Sequence, residues 1–320
     1  HVVYGQARPG VPVAEDTVFR LASVSKLVTA AGLLKLAAEG KLDLAADVNL
    51  SLPYALRHPG APGSPITLEM LLSHTAGLRD GQAYEAALGK AVGVPELLDK
   101  DSWAVYLPGQ GSAYSNFGFG LSACAAEAQA GASFELLMQR ALFEPLGIRA
   151  SYYPQRAGLT LADARRVLPP ARRPGFDAAG RQALPLDGWD RPDPFLHHTL
   201  AQGNCCMDAG GLAKLGAALL KPGFFSWESL QAMRAPRGDL AGRDPALRQG
   251  LGTFILEDAR LCPYPLYGHQ GMAYGAVHMV FLDIKKGRGV ISLTTGASQA
   301  REHILTDLNK ALLAFWRRHV

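Results

Sequence analysis

The sequence has little cysteine: four residues in 320, with Cys124 and Cys262 standing alone and Cys205 and Cys206 adjacent. Adjacent cysteines strain a mutual disulfide, and no paired spacing for zinc is present, so buried free thiols are expected. Long apolar runs are also missing. The stretch from Ala30 to Ala38 is broken by Lys35, and nothing approaches the ~18 residues of a membrane span. Charge of one sign is scarce too, since a net +4 is a small surplus for this length and does not suggest a nucleic-acid groove. The densest basic stretch, Arg165-Arg166 and Arg172-Arg173, lies in a Pro-rich segment without interleaved aromatics and reads as a solvated loop. The chain opens His1-Val2-Val3-Tyr4, with neither an initiator Met nor a basic leader region. That start reads as trimmed or processed and leaves the compartment open.

What is present is a globular mixture. With 48% hydrophobic and 19% charged residues, the chain can bury a sizeable core as one large domain or two smaller ones. Residues 2 to 7 read as a strand ended by Pro9-Gly10. From Ser23 to Glu39 the apolar spacing is helical, with Gly40 placed to stop it. Ser51 to Pro65 is a Pro/Gly-rich connection, followed by a short helix capped by Thr67. Phe117 to Ala130 and Ser133 to Leu142 are helical by Ala and Leu spacing, and Gly158 to Gln202 reads as a long surface excursion. Strands are expected within Gly250 to Glu257, Gly275 to Asp283 and Gly289 to Thr295, with a hairpin turn at Gly287, then a helix from Glu302 to Arg317. Strand, helices, antiparallel strands and a final helix make an α+β architecture.

The chemistry begins at Ser23 and Lys26. Three residues apart on a helix, they share a face, and the helix N-terminus adds positive potential beside the hydroxyl. A partly desolvated amine has a lowered pKa and can take the Ser proton. Ser-x-x-Lys alone occurs about once by chance in a chain this long, so its company matters. Tyr114-Ser115-Asn116 offers a phenol for proton exchange and an amide for a substrate carbonyl. His269-Gln270-Gly271 offers a basic side chain to assist proton transfer and a glycine that lets backbone approach substrate. His74 reads as a structural hydrogen-bonding residue. His197-His198 lacks partnering carboxylates at helical spacing, so no metal is assigned.

These three stations, in this order, resemble the serine beta-lactamase and penicillin-binding protein superfamily, specifically its class C-like branch. The stretches Phe19 to Lys26, Leu71 to Leu78 and Phe143 to Ile148 add to the resemblance, which runs over nearly the whole chain. It implies a beta-lactamase/transpeptidase-like fold as one catalytic unit over 1–320. Residues 1–20 and 205–320 would form an α/β sheet subdomain, and 21–204 a mainly helical one. It also implies that Ser23 is acylated, Lys26 is its base and Tyr114 shuttles protons, with His269 where many members have Lys. Asn116, Gln270 and Gly271 would contact substrate, and the backbone N–H groups of Ser23 and Met272 would form the oxyanion hole. The family usually has a helix and another strand before the equivalent of Val2, so an exposed sheet edge is expected. His269-Gln270-Gly271 in place of Lys-Thr-Gly resembles the peptidase and esterase side of the branch. The implied activity is acyl transfer from an amide, ester or lactam of a small molecule or peptide, without cofactor, metal or nucleic acid. A D-amino-acid-directed peptidase or esterase is favoured. A class C-like beta-lactamase and a penicillin-binding sensor that does not turn over are the alternatives, with beta-lactams as acylating ligands and a periplasmic or extracellular location.

Overall fold

The computed structural model describes residues 1–154, 158–162, 188–239, 244–273 and 275–319. The basic stretch from Arg165 to Arg173 and much of the expected excursion lie outside the described residues.

Three short strands, β1 (Gln6–Arg8), β2 (Val11–Pro12) and β3 (Phe19–Arg20), lead into helix α1 (Val24–Ala38). Then come α2 (Leu68–Leu72), α3 (Gln82–Ala87), α4 (Val94–Leu97), α5 (Asn116–Ala130), α6 (Phe134–Met138) and β4 (Ala150–Ser151). Helix α7 (Leu200–Gly203), strand β5 (Cys206–Met207) and helices α8 (Ala209–Leu220) and α9 (Trp227–Arg234) follow. Strands β6 (Gly238–Asp239), β7 (Leu247–Gln249), β8 (Phe254–Leu256), β9 (Leu266–Ala273), β10 (Ala276–Asp283) and β11 (Arg288–Thr295) precede α10 (Asp307–His319). The last six strands form one antiparallel sheet in the order β11-β10-β9-β8-β7-β6. Strands β3, β5 and β4 form a separate small sheet.

Residues 2 to 7 depart from the expected strand. The strand is confined to Gln6–Arg8, pairs with β2 as a hairpin and does not join the six-stranded sheet. Strand β11 is the sheet's edge, paired with β10 alone among the described residues.

Helix α1 is apolar on nearly every side, the pattern of a helix buried all round rather than along one stripe. Val24, Leu27, Val28, Leu33 and Leu36 are buried, and so are the polar Ser25, Lys26 and Thr29. Those polar groups must find partners. Ser25 Oγ accepts from the Cys205 amide, and Thr29 Oγ1 meets the Tyr152 hydroxyl and the Ala201 carbonyl. The helix ends at Gly40, whose φ of +69° suits a residue without Cβ.

Alternation along β10 divides the core between the two sheet faces. Val280 and Leu282 join α1, α5 and α8 in the main core, while Met279 and Phe281 pack with Leu305, Leu313 and Trp316 of the C-terminal segment. All four cysteines are buried and free. His197 bridges Glu127 (2.7 Å) and the Tyr153 hydroxyl (3.0 Å) inside the helical region. Among the described residues no helix is long and apolar enough to cross a membrane, and no cluster of His, Cys, Asp or Glu is placed to hold a metal ion.

Strand β9 crosses the start of α1 at unusually close range. A Cβ on Gly271 would lie 2.3 Å from the Leu21 carbonyl oxygen and 3.2 Å from the Val24 nitrogen, and backbone cannot yield as a flexible side chain does. Gly271→Ala should therefore destabilise the fold by about 1–3 kcal/mol or more. Thermal unfolding by circular dichroism checks this, and a midpoint equal to the wild type's would refute the packing argument.

Candidate active site

Ser23 occupies the N-cap position of α1, yet its side chain makes no capping hydrogen bond. The preceding Ala22 has φ +47°, a left-handed conformation that costs a residue with a Cβ about 1–3 kcal/mol. The turn is held by neighbours: the Leu21 amide donates to the Cys205 carbonyl (2.8 Å), and Gly271 lies against it from β9. This arrangement leaves the Ser23 hydroxyl half-buried and available to Lys26.

The Lys26 amine has three oxygens around it: Ser23 Oγ at 3.1 Å, Asn116 Oδ1 at 2.9 Å and the Gln202 carbonyl at 2.7 Å. Its side chain is fully buried. Burial lowers its pKa from 10.5 to about 7, with the Asp80 carboxylate opposing the fall. An ammonium would donate to all three oxygens. A neutral amine has two N–H bonds for Asn116 and Gln202 and a lone pair left for the Ser23 hydroxyl. The cage thus accommodates both protonation states without leaving an oxygen stranded.

Tyr114 precedes α5, and its ring centre lies 5.0 Å from Lys26 Nζ. The ring packs against His74 with centroids 4.4 Å apart and planes tilted by 33°. His74 Nδ1 accepts from the Ser115 amide (3.2 Å), and its φ is +59°. Asn116 begins α5, whose cap is Ser115. Asp80 ties this junction together, accepting from Ser115 Oγ, Asn116 Nδ2 and the Phe117 amide at 2.8, 3.0 and 2.9 Å.

The third station differs from its expected role in three ways. His269 is fully buried, stacked on Phe254 at 4.1 Å, and its Nε2 has no hydrogen-bond partner among the described residues. Burial, and secondarily the nearby Lys26, depress its pKa to about 3, so the ring is neutral at ordinary pH. The sequence suggested a basic side chain at this station, and the ring that stands there is uncharged. Gln270 points the other way, as alternation along a strand requires. Its Nε2 donates to the Ile304 carbonyl (2.8 Å), and its Oε1 accepts from the Thr306 amide (2.8 Å) and Asn309 Nδ2 (2.7 Å). Its side chain anchors the C-terminal helix and is not presented to a substrate. Gly271 lets β9 approach α1 rather than a ligand.

A cavity of ≈ 360 Å³ opens over Ser23 and is bordered by Asn116, Gln202, Met272 and Ala273, with Asp80 and Glu85 on its wall. Neither Asp80 nor Gln202 was read as a site residue from the sequence, where Gln202 marked only the end of the expected surface excursion. Gln202 acts on Lys26 through its main-chain carbonyl, which carries no residue-type signal. Its side chain accepts from the Tyr84 hydroxyl, fixing α7 against α3.

A family model described as Beta-lactamase matches residues 1–315. The D-alanyl-D-alanine-carboxypeptidase/endopeptidase AmpH of Escherichia coli (strain K12) is 34% identical over 160 residues, 47% of this chain and 41% of AmpH. The esterase EstB of Burkholderia gladioli is 28% identical over 337 aligned residues, covering 93% of this chain and 82% of EstB. The chain thus matches less than half the length of AmpH but most of EstB. Among solved structures, the D-amino acid amidase of Ochrobactrum anthropi SV3, in complex with D-phenylalanine, superposes with a TM-score of 0.70 at 22% identity, over 98% of this chain and 88% of the amidase. That likeness concerns the fold, which is mixed α and β with an antiparallel sheet, as in the beta-lactamase and transpeptidase structures. With the match running from residue 1 to residue 315, the chain belongs to the beta-lactamase family.

Proposed function

We propose that this chain is a serine acyl-hydrolase working through an acyl-enzyme on Ser23. The observation that carries the reading is the desolvated Lys26 amine held 3.1 Å from Ser23 Oγ within an oxygen cage. Neutral Lys26 removes the hydroxyl proton as Oγ attacks a carbonyl carbon. The carbonyl oxygen gains negative charge, which the backbone N–H groups of Ser23 and Met272, two residues that line the cavity, would stabilise. The tetrahedral intermediate expels its amine or alkoxide leaving group, which takes a proton relayed from Lys26 by Tyr114. Water then attacks the acyl-enzyme, gives up a proton along the same route and releases the acid with Ser23 restored.

Asn116 both steadies Lys26 and borders the cavity, where its remaining amide N–H can meet a substrate carbonyl. His269, being neutral, contributes packing against Phe254 and Tyr114. The substrate class favoured is a D-amino-acid amide or peptide, or an ester. The similarity to AmpH, EstB and the D-amino acid amidase supports it, as does a third station lacking both the Lys and the Thr of Lys-Thr-Gly.

Ser23→Ala should abolish labelling by a fluorophosphonate or fluorescent penicillin probe on a denaturing gel, and undiminished labelling would sink the assignment. The pH dependence follows from Lys26, because the base acts in its neutral form and its pKa is lowered to about 7. The rate of probe labelling should rise about tenfold per pH unit well below that value and level off above it, and a flat profile between pH 5 and 8 would contradict the assignment. Turnover of p-nitrophenyl butyrate and of a D-amino-acid amide, neither of which carries a carboxylate, should exceed that of nitrocefin, whereas fast nitrocefin hydrolysis alone would make the chain a beta-lactamase in activity.

A further inference from the structure

Asp80 lies between α2 and α3, outside the three stations that carry the family resemblance, yet it bonds the second of them through Ser115 and Asn116. Its segment is rigid. The Ala104 amide donates to the Gly77 carbonyl (2.8 Å), the Arg79 amide donates to the Ser102 carbonyl (3.0 Å), and Leu78 bridges Trp103. A Cβ on Gly81, the next residue, would lie 2.9 Å from Ser102 Oγ, so the chain is closely fitted on that side as well.

An ionised carboxylate only accepts hydrogen bonds. The Asn116 atom 3.0 Å from Asp80 Oδ2 must therefore be Nδ2, which turns Oδ1 toward Lys26 Nζ, 2.9 Å away. Flipping the amide would set its oxygen against the carboxylate and its nitrogen against the amine. The other Asp80 oxygen receives Ser115 Oγ and the Phe117 amide at the first turn of α5. One carboxylate thereby fixes the helix start, the amide orientation and the sign of the field at the amine.

We propose that Asp80 is a positioning residue of this site, locking the Asn116 amide with its oxygen toward Lys26 and supplying the negative charge that the Lys26 ammonium faces. The inference rests on the acyl-hydrolase reading. The groups surrounding the amine leave this role to Asp80. His74 from the loop after α2 and His269 from β9 are buried and held neutral, the Tyr114 ring centre lies 5.0 Å from the amine, and α7 contributes a carbonyl. Glu85 on α3 also borders the cavity, but it is exposed to solvent, where its field is screened.

The test is the pH dependence of fluorophosphonate labelling in wild type, Asp80→Asn, Asp80→Ser and Ser115→Ala. Removing the negative charge disfavours the ammonium, so both uncharged Asp80 variants should move the midpoint of the acid limb to lower pH by about half a unit or more. Both should also lower the plateau rate as the Asn116 amide loses its fixed orientation. Ser115→Ala removes one donor to the same carboxylate and keeps the charge, so its midpoint should stay at the wild-type value. Slower labelling with an unmoved midpoint in both Asp80 variants would make Asp80 a structural anchor and overturn the proposal. Failure of both variants to fold, judged by circular dichroism, would overturn it in the same sense. A wild type that is not labelled, or a label that survives Ser23→Ala, would overturn the hydrolase reading and this inference with it.

Discussion

The constraint on which the site depends is the complete burial of one amine. Taking the Lys26 ammonium out of water is unfavourable by several kcal/mol unless oxygens replace the lost hydration. The chain supplies those oxygens from α1, α5 and α7, which are far apart in sequence and converge on Nζ. The arrangement works in reverse as well. Helices that must each present an oxygen to the same nitrogen are fixed relative to one another, so the buried amine also registers these helices against each other. Incomplete repayment of the desolvation is what leaves the pKa near 7 instead of 10.5.

Close backbone contact is the second half of the same design. The amine is useful only if the hydroxyl beside it faces a carbonyl and the developing oxyanion meets donors that cost no reorganisation. That requires β9 to run within van der Waals range of the turn holding Ser23, which Gly271 permits. On the opposite face of the same strand, Gln270 binds Ile304, Thr306 and Asn309, so α10 presses the strand from behind. Residues adjacent in sequence thus serve opposite faces, one admitting the approach and the other enforcing it.

How much of this was legible in the sequence follows from where each signal resides. Helix α1, its stop at Gly40, the Thr67 cap and the Gly287 turn are written in local spacing and special residues, and they lie where that spacing puts them. The final helix begins at Asp307 rather than Glu302, because the residues before it are engaged by Gln270 and Asp244. Strand β9 carries no alternation: it is largely buried and interrupted by Gly268 and Gly271, so pattern alone did not mark it as the strand behind the site. The packing of Gln270 against the C-terminal segment and of Gly271 against α1 was not legible because facing is a tertiary property. A one-residue step decides it, and the motif does not record which face is which. Asp80 was passed over for a related reason, since a charged residue in a loop ordinarily reads as solvated and nothing local ties it to a residue 36 positions away.

The neutral imidazole at the third station sets the electrostatic character of the whole cavity. A lysine there would place a second cation near Tyr114 and Lys26, favouring a phenolate and offering a substrate carboxylate a partner. His269 offers neither, because burial holds it uncharged. Lys26 is then the group among these with a pKa close to neutrality, and in the proposed mechanism it alternates between amine and ammonium in both acylation and deacylation. Asp80 becomes more important in such a site, since the balance between the two forms is set by burial on one side and by a single carboxylate on the other. With no fixed cation at this station, substrates that engage the cavity through neutral carbonyl groups lose least. On that ground the proposed function favours esters and amides over ligands whose binding depends on a carboxylate held at that position.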